Sequence, residues 1–220
     1  MSLFPTPPLL SRAEAVELLK PYLGQDLRRI SDQLGVTQAH EAVSHYGWAG
    51  HTVEWLLGSA PNNQQAADFG TWELKVTSVE KVDGHENQTW LPKGQITLTS
   101  IQPAELVKTS FEDSHLFEKT KHLLIACRTY TDPSETSSNL VMLCEYDLEG
   151  ELFTEVKQEY EELQWVLREH GLMGMKDIHM RRLGLKAGMG TRGGARLIAR
   201  KTWVEEMMKI GLRHEQSEGV

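Results

Sequence analysis

The chain has little cysteine and no long apolar run. Of its 220 residues only Cys127 and Cys144 are cysteines, and each lies inside an apolar stretch. Two thiols in such surroundings favour a reducing cytosol over a disulfide framework. No stretch approaches the roughly 20 apolar residues that a membrane-spanning helix needs. Residues 1–10 contain three prolines and no basic run before an apolar core, so they are not typical of a signal peptide. We therefore expect a cytoplasmic protein.

Motifs for zinc and for nucleotides are also lacking. The nine histidines are scattered, with neither a cysteine pair nor a His-Glu-x-x-His sequence, so a zinc site is not expected. The glycine-rich stretch 184–194 contains no Gly-Lys-Ser/Thr sequence and no dinucleotide-binding fingerprint. Because the stretch is basic, two interpretations remain open: a loop that orders on a DNA backbone, or an ordinary surface loop.

Positive charge is scarce overall but concentrated in one part of the chain. The net charge of −8, taken as a single number, argues against nucleic-acid binding. However, residues 145–169 contain nine acidic and two basic side chains, whereas residues 170–214 contain ten basic and three acidic ones. A protein that meets phosphate needs a local basic surface rather than a positive total. The basic segment is therefore either a solvated charged face or a nucleic-acid surface, and the acidic segment is a candidate partner surface.

The rest of the composition, 40% hydrophobic and 25% charged, is typical of a globular domain, undivided or in two lobes. Helical spacing, capping signals and stop residues predict helices over 12–20, 25–34, 37–45, 47–57, 152–168 and 200–212. Alternation and short apolar runs predict strands over 72–77, 95–101, 122–128 and 139–146, the second pairing with the first. Residues 175–196 are expected to form loops or short strands. This order predicts an α/β or α+β domain with a mixed sheet.

One predicted strand carries two polar side chains on one face. Glu73 and Lys75 are two residues apart, so both point the same way. Asp68 lies shortly before the strand, at a turn from which it can fold back towards Glu73. Two converging carboxylates make a hard-oxygen site suited to Mg²⁺, to which the carbonyl of Leu74 would add a ligand. Lys75 would then orient or deprotonate the water that attacks a phosphodiester. This pattern is typical of the restriction-endonuclease-like nuclease core, and a surface ion pair is the alternative.

Two further polar residues are candidates for the same site. Glu54 lies mid-helix among apolar neighbours, where a lone carboxylate is costly unless it is paired or bound. Nuclease cores often present such an acid from a preceding helix, whereas the alternative is a position on the wetter side of that helix. Lys119 lies just ahead of the predicted strand 122–128 and is a candidate on the same grounds.

A series of motifs resembles the MutH family of DNA mismatch-repair endonucleases, in the order found in that family. The motifs are Gly47-Trp48-Ala49-Gly50, Glu54-Trp55-Leu56-Leu57-Gly58, Asp68-Phe69, Glu73-Leu74-Lys75, Ser114-His115-Leu116 with Lys119 and Lys121, and the acidic helix around 156–163. The resemblance covers about residues 8–170. It implies a restriction-endonuclease-like core, with a mixed sheet flanked by helices and two lobes around a DNA cleft.

The resemblance also implies an activity and a set of residues. It implies a single domain over 1–220, with the catalytic core in about 8–170 and a basic DNA-contacting region in 171–214. The implied catalytic residues are Glu54, Asp68, Glu73, Lys75 and Lys119, and the implied Mg²⁺ ligands are Asp68, Glu73, Leu74 and Glu54. The implied DNA contacts are Lys121, Arg181, Arg182 and Lys186. The implied protein is a monomer that nicks the unmethylated strand of double-stranded DNA at hemimethylated GATC sites, activated by a MutL-type partner.

Two features depart from the family pattern. The gap between Asp68 and Glu73 is two residues shorter than in the family, so the connecting turn must be tighter. The family reads DNA near an Arg-Pro-Lys-Ala sequence, and the best match, Gly184-Leu185-Lys186-Ala187, lacks the arginine. Arg181 or Arg182 would have to substitute for it.

Two alternative functions remain open beside the MutH-type activity. The first is a type II restriction endonuclease of the same family, which cuts both strands of its own site. The second is a DNA-binding or adaptor protein with an inactive nuclease core. The presence of all four catalytic-type residues, Glu54, Asp68, Glu73 and Lys75, argues against the second.

Overall fold

The structure, a computed structural model, describes residues 10–36, 47–59, 69–82, 89–130, 136–174, 180–187 and 195–215. The helices are α1 (Arg12–Leu19), α2 (Leu27–Gln33), α3 (Trp48–Leu56), α4 (Pro103–Leu106), α5 (His115–Glu118), α6 (Gly150–Gly174) and α7 (Lys201–Ile210), with a 3₁₀ turn at Lys20–Tyr22. The strands are β1 (Glu73–Val82), β2 (Thr89–Pro92), β3 (Ile96–Ile101), β4 (His122–Thr129), β5 (Leu140–Asp147), β6 (Leu183–Ala187), β7 (Ala195–Ala199) and β8 (Leu212–Glu215). In these ranges no helix is long and apolar enough to cross a membrane.

Two sheets form the framework. The five-stranded sheet has the order β2-β1-β4-β5-β8, in which β1 and β4 are parallel and the other neighbours are antiparallel. The three-stranded sheet has the order β3-β7-β6 and is antiparallel. A mixed sheet flanked by helices confirms the predicted fold class and is consistent with a restriction-endonuclease-like core.

The apolar run in β4 makes this strand the centre of the larger sheet. Leu124 and Ala126 pack against α1, α2 and α3 in what we term the N-terminal core. Leu123, Ile125 and Cys127 pack on the other face, in what we term the central core, together with α6, α7 and the three-stranded sheet. Because alternate residues of a strand face opposite sides, a strand buried on both faces must be apolar throughout. The central core also joins the two sheets.

Local signals account for the ends of several helices. The Ser11 side chain accepts a hydrogen bond from the Glu14 N–H, and the Glu14 carboxylate accepts one from the Ser11 N–H, so the predicted capping box is present. The second helix begins two residues later than predicted, because Asp26 caps it by accepting from the Arg28 N–H. The third and short predicted helix, over 37–45, lies outside the described residues.

One prediction about strand pairing was wrong, and the end of one predicted helix was placed two residues too late. Residues 95–101 were expected to pair with β1, but β3 pairs with β7, because the edges of β1 are taken by β2 and β4. The predicted C-terminal helix ends at Ile210 rather than Leu212, and the chain continues as β8, which pairs with β5. The expectation of short strands within 175–196 is confirmed by β6 and β7.

Arg12 fastens α1 to the larger sheet. Its Nη1 and Nη2 donate to the two carboxylate oxygens of Asp147 at 2.7 and 2.8 Å, and its Nε donates to Glu145 at 3.0 Å. A bidentate arginine–carboxylate pair is among the stronger hydrogen-bonded contacts in proteins. The hydrogen bonds from Arg12 lower the pKa of Asp147, and a further bond to His122 acts in the same direction.

We predict that Asp147→Asn destabilises the protein at neutral pH and that the loss disappears in acid. The folded-state pKa of Asp147 is lowered, so its charge stabilises the fold above the ordinary aspartate pKa of about 4. This contribution is lost as the pH falls through the folded value. We expect a loss of about 1 kcal/mol at pH 7, because Asp147 is partly exposed to solvent.

Urea unfolding between pH 2 and pH 8 measures this effect. The control is Glu149→Gln, a change two residues away at an exposed position, for which we expect no comparable pH-dependent loss. A deficit of Asp147→Asn that stays the same down to the lowest pH would contradict the assignment, because the deficit would not come from the charge.

Candidate active site

Glu73, the first residue of β1, carries a buried carboxylate. The residue is 1% exposed, although glutamate is almost never fully buried without a partner. Its neighbours Trp72 and Leu74 pack into the N-terminal core. Strand alternation therefore turns Glu73 and Lys75 to the opposite face of the sheet, side by side, as their spacing predicts.

Two lysines contact this carboxylate. Lys75 Nζ donates to Glu73 Oε1 at 2.6 Å, and Lys119 Nζ donates to Oε1 and Oε2 at 3.1 and 3.0 Å. The side chains of Lys75 and Lys119 are 16% and 9% exposed. Removing a carboxylate from water is costly, and ammonium groups at hydrogen-bond distance offset that cost. We term these three residues the Glu73 cluster.

Lys119 reaches Glu73 through the pairing of β1 with β4. The strands are parallel, with Glu73 opposite Leu123, so β1 and β4 begin at the same end of the sheet. Lys119 lies four residues before Leu123, at the C-terminal end of α5. The start of α5 is held by Ser114, whose hydroxyl accepts from the Phe117 N–H. The lysine expected at the phosphate is thus bound to the carboxylate in this structure.

A tight turn precedes Glu73. Gly70 has a φ of 78°, a left-handed conformation that glycine adopts without strain. Phe69 and Trp72 stack with their ring centroids 4.2 Å apart, and the Phe69 N–H donates to the Trp72 carbonyl. The Trp72 indole N–H donates to the Leu10 carbonyl at 2.7 Å, which ties the turn to the start of α1. Asp68, immediately before this turn, lies outside the described residues.

Glu54 belongs to the layer of helices that packs on the other face of the sheet. It lies in α3, where Val53 packs into the N-terminal core together with Leu57 and Trp72. Glu54 itself is half-buried, and its Oε2 is shielded from solvent. Glu73 and Lys75 point to the opposite face of β1, so a role for Glu54 at the same site stays a prediction.

The donor groups at this end of β1 suit Mg²⁺. Carboxylate and carbonyl oxygens are its preferred ligands, and here they are the side chain of Glu73 and the backbone of Leu74. Burial of Glu73 lowers the local dielectric and strengthens a charged contact. Within the part of the chain that the structure describes, which excludes Asp68, no group of three or more His, Cys, Asp or Glu residues could hold a metal. A metal ion at Glu73 would therefore need further ligands from outside these ranges, and Asp68 remains the predicted one.

Lys186 and Arg196 form an exposed basic pair on the three-stranded sheet. They lie directly opposite each other in β6 and β7, and both are exposed. Arg181, just before β6, has a side chain that is 67% exposed and pairs with Glu206 at 2.5 Å. The sequence placed Arg196 in the basic segment but did not single it out, because a cross-strand neighbour is recognisable only when the strand register is known.

Arg182 and Lys121 are less exposed than Lys186 and Arg196, and both are paired with carboxylates. The Arg182 side chain is 7% exposed and contacts Glu155 at 2.5 Å and Glu206 at 2.9 Å. The expectation that Arg182 faces DNA conflicts with this burial, because two carboxylates already hold its guanidinium. Lys121 is 28% exposed and pairs with Glu118 at 2.8 Å, and its contact with DNA stays a prediction.

We predict that Lys119→Met destabilises the protein by about 2 to 3 kcal/mol, because Glu73 keeps its burial but loses the ammonium group that contacts both of its carboxylate oxygens. The matched control is Lys121→Met, which removes a more exposed ion pair two residues away and should cost less than about 1 kcal/mol. Urea unfolding of both variants measures the difference. Equal losses would mean that the Glu73 contact contributes nothing specific.

The comparison with known families bears directly on this site. Residues 57–149 match the profile of the family described as DNA mismatch repair enzyme MutH. The matched segment contains Asp68, Glu73, Lys75 and Lys119, and it leaves out Glu54 and the basic region. A comparison with curated proteins gave no match. The match spans fewer than half of the 220 residues, and together with the fold it supports a chain that is similar to MutH and has a restriction-endonuclease-like core.

Proposed function

We propose that the protein is a Mg²⁺-dependent DNA endonuclease that nicks the unmethylated strand at hemimethylated GATC sites and is activated by a MutL-type partner. The observation that carries this proposal is the Glu73 cluster, a buried carboxylate in contact with two lysines where β1 begins. It lies within the segment that matches the MutH family. The proposed protein acts as a cytoplasmic monomer on double-stranded DNA.

The proposed metal ligands are the carboxylates of Glu54, Asp68 and Glu73 and the carbonyl of Leu74. When bound, Mg²⁺ supplies positive charge at the scissile phosphate and lowers the pKa of water. The Lys75 ammonium, beside Glu73 on the same strand, orients the attacking water and offsets negative charge on the phosphate. Lys119, which contacts both carboxylate oxygens of Glu73, would donate to a phosphate oxygen if Glu73 held Mg²⁺ instead.

The proposed DNA-contacting surface includes Lys186, Arg196 and Arg181, with Lys121 nearer to the Glu73 cluster. Lys186 and Arg196 are like charges directly opposite each other, an arrangement that destabilises an isolated sheet. Such a cost is repaid when both cations meet a phosphate backbone. Arg182 is left out of this surface because its guanidinium is buried between two carboxylates.

A specific observation favours one alternative, a type II restriction endonuclease of the same family with another recognition sequence. Gly184 occupies the place of the arginine in the DNA-reading sequence of the family. A Cβ atom at Gly184 would lie 2.9 Å from two side-chain carbons of Ile198, so a longer side chain fits there only if Ile198 moves. Because arginine is the usual reader of guanine in the major groove, its loss would alter the preferred site.

Catalysis is tested on supercoiled plasmid DNA that carries GATC sites, with and without Mg²⁺. We expect Glu73→Ala and Lys75→Ala each to reduce nicking on the order of 10²- to 10³-fold, because they remove a metal ligand and the cation beside the phosphate. The matched controls are Glu80→Ala and Lys81→Ala, an acidic and a basic change farther along the same strand. Cleavage that continues without metal, or that is equally reduced in the controls, would contradict the assignment.

Methylation response separates the two candidate endonucleases. We expect the wild type, together with a MutL-type protein, to nick only the unmethylated strand of a hemimethylated GATC duplex and to spare a fully methylated one. Duplexes labelled on either strand and resolved by denaturing electrophoresis give this result directly. Cutting of both strands at another sequence would instead favour the restriction endonuclease, and absence of cleavage with intact DNA binding would favour the inactive core.

A further inference from the structure

Glu159 of α6 holds the start of the strand that carries Lys186. Its Oε1 accepts from the backbone N–H groups of Arg181 and Arg182, each at 3.1 Å. Its Oε2 accepts from the N–H of Arg182 at 3.1 Å and of Leu183 at 2.7 Å. One carboxylate therefore binds three consecutive amides at the entry to β6.

The contact lies at the start of a strand at the border of its sheet. The strand β6 is an edge strand, paired only with β7 in the three-stranded sheet. Hydrogen bonds from backbone amides to an ionised carboxylate are stronger than those between neutral groups. Beside Glu159, the guanidinium of Arg182 is held by Glu155 of α6 and Glu206 of α7. The acidic face of α6, at first a candidate partner surface, is therefore partly used within the molecule.

We propose that Glu159 is a positioning residue for DNA binding. This role rests on the function proposed above. By fixing the three amides that lead into β6, it sets the direction of the strand and the place of Lys186, three residues after Leu183. At about 3.3 Å a residue, Lys186 lies roughly 10 Å from the contact, so Glu159 acts on it only through the backbone. Lys186 is exposed opposite Arg196, which makes both cations available to one DNA backbone.

Long-range electrostatics and a positioning role predict opposite changes in DNA affinity when Glu159 is replaced. Removing a negative charge near a basic surface strengthens binding to DNA when the charge acts only at long range. Removing Glu159 weakens binding if the carboxylate positions β6. The matched control is Glu162→Gln, which removes the same charge from an exposed position on the same helix.

The experiment measures the affinity of the full chain for a labelled GATC duplex by fluorescence anisotropy, with Ca²⁺ replacing Mg²⁺ to prevent cleavage. We expect Glu159→Gln to bind about tenfold more weakly than wild type, and Glu162→Gln to bind as tightly or more tightly. The second arm combines Glu159→Gln with Lys186→Ala. Because a misplaced Lys186 contributes little, we expect Lys186→Ala to weaken binding clearly in the wild type and much less in the Glu159→Gln background.

Each outcome has a defined meaning. Coupling between Glu159 and Lys186, with the thermal midpoint of Glu159→Gln unchanged or lowered, supports the positioning role. Additive effects, or equal affinities for Glu159→Gln and Glu162→Gln, overturn it, because Glu159 then contributes only stability or only charge. If the wild type binds no DNA, the proposed function itself fails and this proposal with it.

Discussion

The parallel pairing of β1 with β4 is the constraint on which the candidate site depends. Parallel neighbours cannot be joined by a tight turn, so the chain, after β2 has paired with β1, must leave the sheet and return to the end at which β1 began. The return passes through α5, and Lys119 therefore arrives beside Glu73. An antiparallel pairing would have placed the start of β4 at the far end of a ten-residue strand, roughly 30 Å away.

Burial and charge are balanced in the same way at two places in the molecule. Where β1 begins, two lysines compensate the negative charge of the Glu73 carboxylate, which is buried away from water. On the acidic helix α6, Glu155 and Glu159 compensate the guanidinium of Arg182 and the amides that begin β6. The acidic and basic segments of the chain are thus folded against each other, and part of the basic segment stays exposed on β6 and β7.

Features that depend on neighbours in the chain were predictable. The Ser11–Glu14 capping box, the long helix α6 and the shared face of Glu73 and Lys75 all follow from spacings of two to four residues. The pairing of β3 with β7 and the existence of β8 did not follow, because strands choose partners through packing with distant segments. The burial of Arg182 was also missed, since an arginine beside an arginine has the same composition whether it faces solvent or two carboxylates.

The sequence by itself determined which chemical groups are available and how adjacent ones are arranged. A single strand supplies the carboxylate of Glu73, the backbone carbonyl of Leu74 and the ammonium of Lys75. Glu73 and Lys75 share a face because side-chain alternation is a local property of the backbone. Only the tertiary structure decided which distant groups join them. Lys119 meets Glu73, and Arg196 meets Lys186, because strand order and register bring them together. Those choices depend on burying apolar faces from the whole chain, a sum that no single segment contains.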